Sequence, residues 1–181
     1  MNVRTLCLAI LKFGDASGYE IKKKSTESQF AYFVDASFGS IYPALTRLEK
    51  DGCVTWREER EPGKPTSKIY SITEAGTREL VEALGTPPKA DIFKSEFLLV
   101  AMCAELLDRE TLAAAIDHYI AYQESEVAQI DEAVSATDHP GTRWIADHGK
   151  ACMLNCIERL KNNRHELEAM AQPSAQAAAA E

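Results

Sequence analysis

The sequence predicts a mainly α protein with one small β-hairpin, followed by a pair of long antiparallel helices. Three observations carry that prediction. Residues 38–76 place a short helix with one apolar stripe directly before two strands joined by a basic, Pro/Gly-rich tip. Thr86-Pro87-Pro88 then breaks the chain, because two consecutive prolines cannot continue a helix. Beyond that break the apolar spacing turns entirely helical. A helix followed at once by such a hairpin is the layout of a winged helix-turn-helix. The fold class is therefore mainly α with a small β-hairpin wing: a winged helix-turn-helix plus a C-terminal antiparallel helical dimerisation domain. The expected boundaries are 1–85 for the first domain and 89–172 for the helical one. A disordered tail at 173–181, ending in Ala-Ala-Ala-Ala-Glu181, has nothing to bury.

Each element has a local reason. Residues 3–13 set Val3, Leu6, Ile10 and Phe13 on one helical face, and Gly14 is a natural stop. Ser17-Gly18-Tyr19-Glu20 fits a capping box, in which the Ser17 hydroxyl caps the third helical amide and Glu20 reaches back to the Ser17 amide. The helix it opens carries Lys22, Lys23 and Lys24 and ends near Ser28. Ser37 or Ser40 opens the third helix. Pro43 fits the first turn if Ser40 is the cap, whereas from Ser37 it lies deeper and loses a hydrogen bond. Ile41, Ala44, Leu45 and Leu48 follow the spacing of a buried face, leaving Tyr42, Thr46, Arg47 and Lys50 outward. Asp51-Gly52 ends the helix with a residue suited to positive φ.

Val54 to Glu59 alternates like a half-buried strand, and Lys68 to Ile72 does so again with Tyr70 and Ile72 inward. Pro62-Gly63-Lys64-Pro65 between them is a turn long enough to project a tip. Thr73 caps a fourth helix that runs to about Leu84. After the proline break, residues 90–107 are densely apolar, with Phe93, Phe97, Leu98, Val100, Met102 and Leu106. Asp108 caps a long helix to about Ala136, with Leu112, Ile116, Tyr119, Gln123, Val127, Ile130 and Val134 near heptad spacing. His139-Pro140-Gly141 turns the chain into a second long helix from Thr142 to about Ala171, carrying Trp144, His148, Cys152, Cys156, Leu160 and Leu167. Two such helices expose more apolar surface than one thin domain covers, since roughly 85 residues is near the size where a lone core is marginal. A two-fold homodimer is the default remedy.

Charge is divided unevenly. The chain of 181 residues has a net charge of −8, with 28 Asp/Glu against 20 Lys/Arg. Residues 1–84 hold 12 of each sign, so the acidic excess lies wholly in residues 85–181. The neutral half can still present a basic face to a polyanion, while the acidic half faces away from it. Five cysteines, Cys7, Cys53, Cys103, Cys152 and Cys156, form no CxxC pair and are odd in number, which favours reduced thiols. Arg4 and the short run Leu6 to Leu11, ended by Lys12 and Asp15, make no signal peptide, and no run approaches membrane-spanning length. A cytoplasmic location is expected.

The exposed side of the third helix is the leading candidate for double-stranded DNA, with Ser40 and Tyr42 touching bases or phosphates and Arg47 behind them. The hairpin tip, with Lys64, Thr66 and Lys68, suits backbone contact, which positions without reading sequence. Lys22 and Lys23 lie on the helix that would cross the phosphate backbone. His148, Cys152 and Cys156 share one stripe, but a rise of ~1.5 Å per residue separates the first and last by about 12 Å. Zinc ligands sit only ~2.0–2.3 Å from the metal, so the three cannot share one ion. They are expected to fill a helix–helix interface, and neither metal nor cofactor is expected. Tyr119, Trp144 and His148 are candidates for a pocket accepting a small aromatic effector at the helical interface. No Ser/His/Asp, Cys/His or paired-carboxylate set stands at a recognisable spacing, and no Gly loop cradles phosphate, so the chain is not expected to be an enzyme.

Three separated motifs, GYEIKKK at 18–24, GSIYPALTRLEKDG at 39–52 and KIYSITEAG at 68–76, together resemble the PadR family of bacterial transcriptional regulators. The helical second half resembles the C-terminal dimerisation domain of the larger PadR subgroup. The resemblance implies a homodimeric, sequence-specific repressor on a near-palindromic operator, released when a small molecule, often aromatic, binds. Carried over by position, Ser40 and Tyr42 belong to the recognition segment and Lys64 to Lys68 to the wing. The family's wing often reads Gly-Arg-Pro-Arg-Lys; here Gly63-Lys64-Pro65-Thr66-Ser67-Lys68 carries fewer cations. The alternative is a winged-helix protein-interaction module without sequence-specific DNA binding.

Overall fold

Helix α1 (Val3–Lys12) is the hub of the first unit in this computed structural model, which describes residues 2–27, 30, 33, 39–60, 66–135 and 137–173. Asn2 caps it by accepting from the Thr5 amide at 2.9 Å. Its Leu6, Cys7, Leu8, Ile10 and Leu11 are buried. Phe13, expected on the same face, is instead 54% exposed. It lies just past the helix as the C-cap, and its ring meets Phe30 edge-on at 5.7 Å.

A two-residue strand, β1 (Ala16–Ser17), leads into α2 (Gly18–Glu27). The expected capping box is formed: Glu20 accepts from the Ser17 amide at 2.7 Å, and the Glu20 amide donates to the Ser17 hydroxyl at 3.2 Å. The Ser17 amide first, and then the Ser17 hydroxyl, which donates to the same carboxylate at 2.8 Å, hold the Glu20 carboxyl below the usual range. Helix α3 (Ile41–Lys50) begins after Ser40, which places Pro43 in the first turn where a missing amide proton costs little. Ile41, Leu45 and Leu48 are buried, and Gly52 ends the helix at φ 71°. Ser28, Ser37 and the hairpin tip at 61–65, which includes Lys64, fall outside the described residues.

Strands β2 (Val54–Glu59) and β3 (Ser67–Ile72) pair antiparallel, with Trp56 opposite Tyr70 and Glu58 opposite Lys68. β1 pairs with β3 on its other edge, giving the sheet order β1-β3-β2. The half-buried alternation expected of β2 is not found. Only Val54 is buried, because β2 is an edge strand that runs past the core within one residue pair. On β3, Ile69 and Tyr70 are both buried and Ile72 packs half-buried against the core. Helix α4 (Glu74–Leu84) starts at Thr73, whose hydroxyl accepts from the Gly76 amide at 3.1 Å. Gly76 is required here: a Cβ would stand 2.1 Å from the Cys53 carbonyl oxygen.

The chain divides into two compact units, Met1–Asp91 and Ile92–Glu181. Residues 87–95 are not helical, although the pattern after the prolines reads as helix throughout. Ser95 sets the real start, capping α5 (Glu96–Met102) by accepting from the Leu98 amide at 3.3 Å. A 3-10 turn (Ala104–Leu106) follows. Asp108 caps α6 (Arg109–Ser135), accepting from the Thr111 amide at 2.8 Å. Helix α7 (Pro140–Glu168) starts earlier than expected, since His139 accepts from the Thr142 amide and Pro140 supplies a preset φ. Cross-helix ion pairs Lys150–Asp131 at 2.8 Å, Lys161–Glu124 at 2.7 Å and Arg164–Asp117 at 2.8 Å set α6 and α7 antiparallel. After α7, Gln172 returns to α6: its amide donates to the Leu107 carbonyl at 2.8 Å, and its carbonyl accepts from the Arg109 amide.

The core of this unit sits at one end, built from Phe97, Ala104, Leu112, Ile116, Ile120 and Ile157. Between 121 and 156 no described residue is buried. No described helix is long and apolar enough to cross a membrane. The expected tail falls outside the described residues beyond Pro173.

Candidate nucleic-acid interface

Three chain segments meet at the start of α3. Tyr42, in the first turn of α3, is 50% exposed. Its ring comes so close to the start of α2 that a Cβ at Gly18 would be 2.7 Å from Tyr42 Cε1. Gly18 is therefore the notch that seats the phenol. Ser17, Gly18, Tyr19, Tyr42, Ser67, Lys68 and Tyr70 line one open cleft of ≈ 360 Å³. Hydroxyls and an ammonium on this lining can donate to a phosphodiester or to the acceptor edge of a base.

The hairpin is fixed to the rest of the unit from both faces. On one face Arg57 pairs with Asp15, and its guanidinium also reaches the Ser71 hydroxyl at 3.4 Å. Arg57 first, then Ser71, holds the Asp15 carboxyl below its usual range. On the other face the Trp56 indole donates to Glu49 Oε1 of α3 at 2.6 Å, while Lys68 Nζ lies 3.7 Å from the Trp56 ring centroid. Burial, then nearby Glu49 and Tyr42, raises the Tyr70 phenol, which stays a neutral donor.

At the C-terminal end of α3, Arg4 joins α1 to Glu79 of α4 at 2.5 and 2.7 Å and to Asp51 at 2.6 Å. Its bond to Glu79, the larger cause, and that to Asp51 raise the guanidinium further above its already high value. The Cys53 thiol donates to Glu79 at 3.1 Å. Burial first and the Glu79 bond second push that thiol up, so it stays protonated. Cys7, buried in α1, is pushed up to about 12 by desolvation.

The candidate residues fall as follows. Tyr42 and Lys68 share the cleft, and Thr66 is exposed nearby in sequence, accepting from Arg60 Nε at 3.2 Å. Ser40 occupies the N-cap of α3, but its hydroxyl does not cap the helix. Arg47 is exposed on α3, Lys23 is exposed on α2 and Lys22 is half-buried there. Lys64 lies outside the described residues. Sequence reasoning missed Tyr19, Trp56 as a link to Glu49, and the notch at Gly18. Tyr19 is 65% exposed, an aromatic ring in the first turn of α2 beside the Ser17 cap, which was the available signal.

The effector candidates do not converge within one chain. Tyr119 stacks on Phe97 at 4.3 Å and 3°, and its hydroxyl neighbours Cys156. Burial is the main reason its phenol is raised. Trp144, 68% exposed, stacks on His148 at 5.4 Å and 1°. Cys156 and Trp144 are separated by about 18 Å along α7 at ~1.5 Å per residue. Trp144, His148 and Cys152 face outward, since helical spacing defines a stripe but not which neighbour covers it. Cys152 Sγ and His148 Nε2 lie 3.9 Å apart, and no described group of three or more His, Cys, Asp or Glu is placed to hold a metal ion.

Comparison with known proteins agrees with this architecture. The model of the transcriptional regulator PadR-like family matches residues 7–82. The negative transcriptional regulator PadR of Bacillus subtilis is 27% identical over 168 residues, covering 90% of this chain and 92% of that protein. A solved PadR-like transcriptional regulator from Bacillus cereus is 30% identical, with TM-score 0.74 over 93% of this chain and 99% of that one. Bacillus subtilis PadR solved in complex with operator DNA shares the fold at TM-score 0.74 and 22% identity, over 91% of this chain and 98% of that one. The same regulator solved with p-coumaric acid gives TM-score 0.69 at 22% identity, over 92% and 99%. With its winged first unit and its long antiparallel second unit, the chain belongs to the PadR-like family of transcriptional regulators.

Proposed function

We propose that the chain is a sequence-specific, homodimeric repressor whose α3 helices enter successive major grooves of a near-palindromic operator, about one helical turn apart. The observation that carries this reading is the exposed Tyr42 phenol sharing one cleft with Lys68 at the start of α3. Ser40, Tyr42 and Arg47 read or approach bases, while Lys22, Lys23, Lys64, Thr66 and Lys68 hold phosphates. The similar regulator of Bacillus subtilis, solved with operator DNA, supports the same use of the fold here. Domain boundaries at 1–85 and 89–172 follow from the same reading.

A second copy supplies what the helical unit lacks. Half of the α6–α7 hairpin has no buried described residue, and α5 exposes Leu98, Leu99 and Met102. A partner covering these residues gives the unit its missing core. The effector is a small aromatic molecule whose binding releases DNA; the similar regulator solved with p-coumaric acid supports an aromatic ligand. Trp144 and His148 offer it a stacking surface, and Tyr119 can join them only from a second copy.

Capture of genomic fragments on the purified protein, followed by binding to the recovered site, tests the proposal. Tyr42→Ala should weaken the recovered site far more than scrambled DNA; equal loss on both removes Tyr42 as a base reader. A rival reading, docking of a protein on the same face, draws on the zero net charge of residues 1–84. Steep loss of DNA affinity with added salt excludes it, because phosphate contact releases counterions.

A further inference from the structure

We infer that Trp56 is a positioning residue that ties the wing to the recognition helix and holds Lys68 beside Tyr42, an assignment that rests on the DNA reading above. Beyond Val54, strand β2 buries nothing, so side-chain bonds hold its outer part: Arg57 pairs with Asp15 on one face, and Trp56 reaches α3 on the other. Trp56 stands where both sides can be held at once. Its cross-strand partner is Tyr70, and Lys68 lies diagonally across on the same face, because Glu58 is the residue opposite Lys68.

The indole uses its two chemistries on two different elements. Its N–H donates to Glu49 Oε1 at 2.6 Å, which fixes the ring to the penultimate residue of α3. Its π-face takes the Lys68 ammonium at 3.7 Å from the centroid, inside the range where a cation over a Trp face is attracted. Lys68 otherwise has a flexible four-carbon stem and many rotamers. With its ammonium parked on Trp56, the Lys68 side chain is held as part of the lining of the cleft that Tyr42 also lines. The reading phenol and the phosphate-holding cation thus keep one spacing, and Glu49–Trp56–Lys68 is the chain of contacts that sets it.

A double-mutant cycle on DNA, joined to a DNA-free measurement, tests this. Affinities are measured for the wild type, Trp56→Leu, Lys68→Ala and the double variant on the captured operator, with circular dichroism as the control for folding. Lys68→Ala should lower the salt slope by about one unit. Trp56→Leu should weaken binding several-fold when Lys68 is present and by less than about twofold when it is absent, since contacting residues are non-additive. The same factor in both backgrounds overturns the inference. Trp56→Phe keeps an aromatic face and loses the indole N–H; it should fall between the wild type and Trp56→Leu, and a loss equal to that of Trp56→Leu counts against the cation's part. In the DNA-free arm, Trp56 emission is read in a Trp144→Phe background, where Lys68→Ala should change its intensity. Unchanged emission with DNA binding intact overturns the clamp alone. A wild type that binds no DNA while the emission responds overturns the DNA reading and, with it, the role assigned to the clamp.

Discussion

Gly18→Ala should move the reading side chain without touching it chemically. The added methyl would stand 2.7 Å from Tyr42 Cε1, against a comfortable carbon–carbon separation of ~3.5–4.0 Å. The ring must give way by about 1 Å, and an off-rotamer swing that large costs ~0.5–1.5 kcal/mol. Because the ring is half exposed it can tilt outward, so the fold is kept and the hydroxyl moves. A hydrogen bond tolerates only ~2.7–3.2 Å between heavy atoms, so a ~1 Å displacement forfeits it. Loss of one such bond is ~0.5–1.5 kcal/mol, up to roughly tenfold in affinity. Anisotropy titrations should therefore show the captured operator bound up to about tenfold more weakly and scrambled DNA nearly unchanged. In a Tyr42→Ala background the methyl meets no ring, and Gly18→Ala should then be silent. Wild-type operator affinity for Gly18→Ala, or an equal loss without Tyr42, refutes the seating of the phenol.

Gly76→Ala should lower the stability of the first unit although alanine is the better helix former. Its Cβ would lie 2.1 Å from the Cys53 carbonyl and 2.9 Å from Ile72 Cγ1, and overpacking of ~1–3 kcal/mol outweighs a propensity gain of at most ~1. A thermal melt should fall by several degrees, and an unchanged or raised midpoint contradicts this contact. The Arg4 bonds, followed by the Cys53 thiol, hold Glu79 below its ordinary 4.5. Its stabilisation is thus complete above that pH and lost as pH falls through the lower folded value. Glu79→Gln should flatten the acid limb of stability, and parallel limbs for both proteins tell against the pairing. Leu99→Glu with Met102→Glu should convert dimer to monomer by light scattering and weaken operator binding together; a dimer that persists moves the interface elsewhere.

Local chemistry made much of the fold legible. The Ser17–Glu20 box, the Thr73 and Asp108 caps and the Gly52 stop each depend on residues a few positions apart, and all stand as read. β1 was invisible, because two residues carry no periodicity and its pairing with β3 is long-range. The burial of β2 was misread for a related reason: alternation reports a strand, not whether a second layer covers it. The return of Gln172 to α6 likewise has no local signature. At the candidate site, Tyr42 was legible as a polar-tipped residue off an apolar stripe. The Gly18 notch and the Glu49–Trp56–Lys68 chain were not, since each joins elements distant in sequence. Tyr119 and Trp144 were assigned to one pocket at the helical interface but do not share a neighbourhood, because spacing along each helix leaves the register between helices open.

The salt dependence of operator binding tests the central claim most directly. The wild-type protein is titrated on its captured site and on scrambled DNA at several salt concentrations. The account predicts a linear fall of log affinity with log salt, steep enough for several phosphates per dimer, and a preference for the captured site of at least ~10³. A flat salt response, or equal affinity for both sequences, contradicts it.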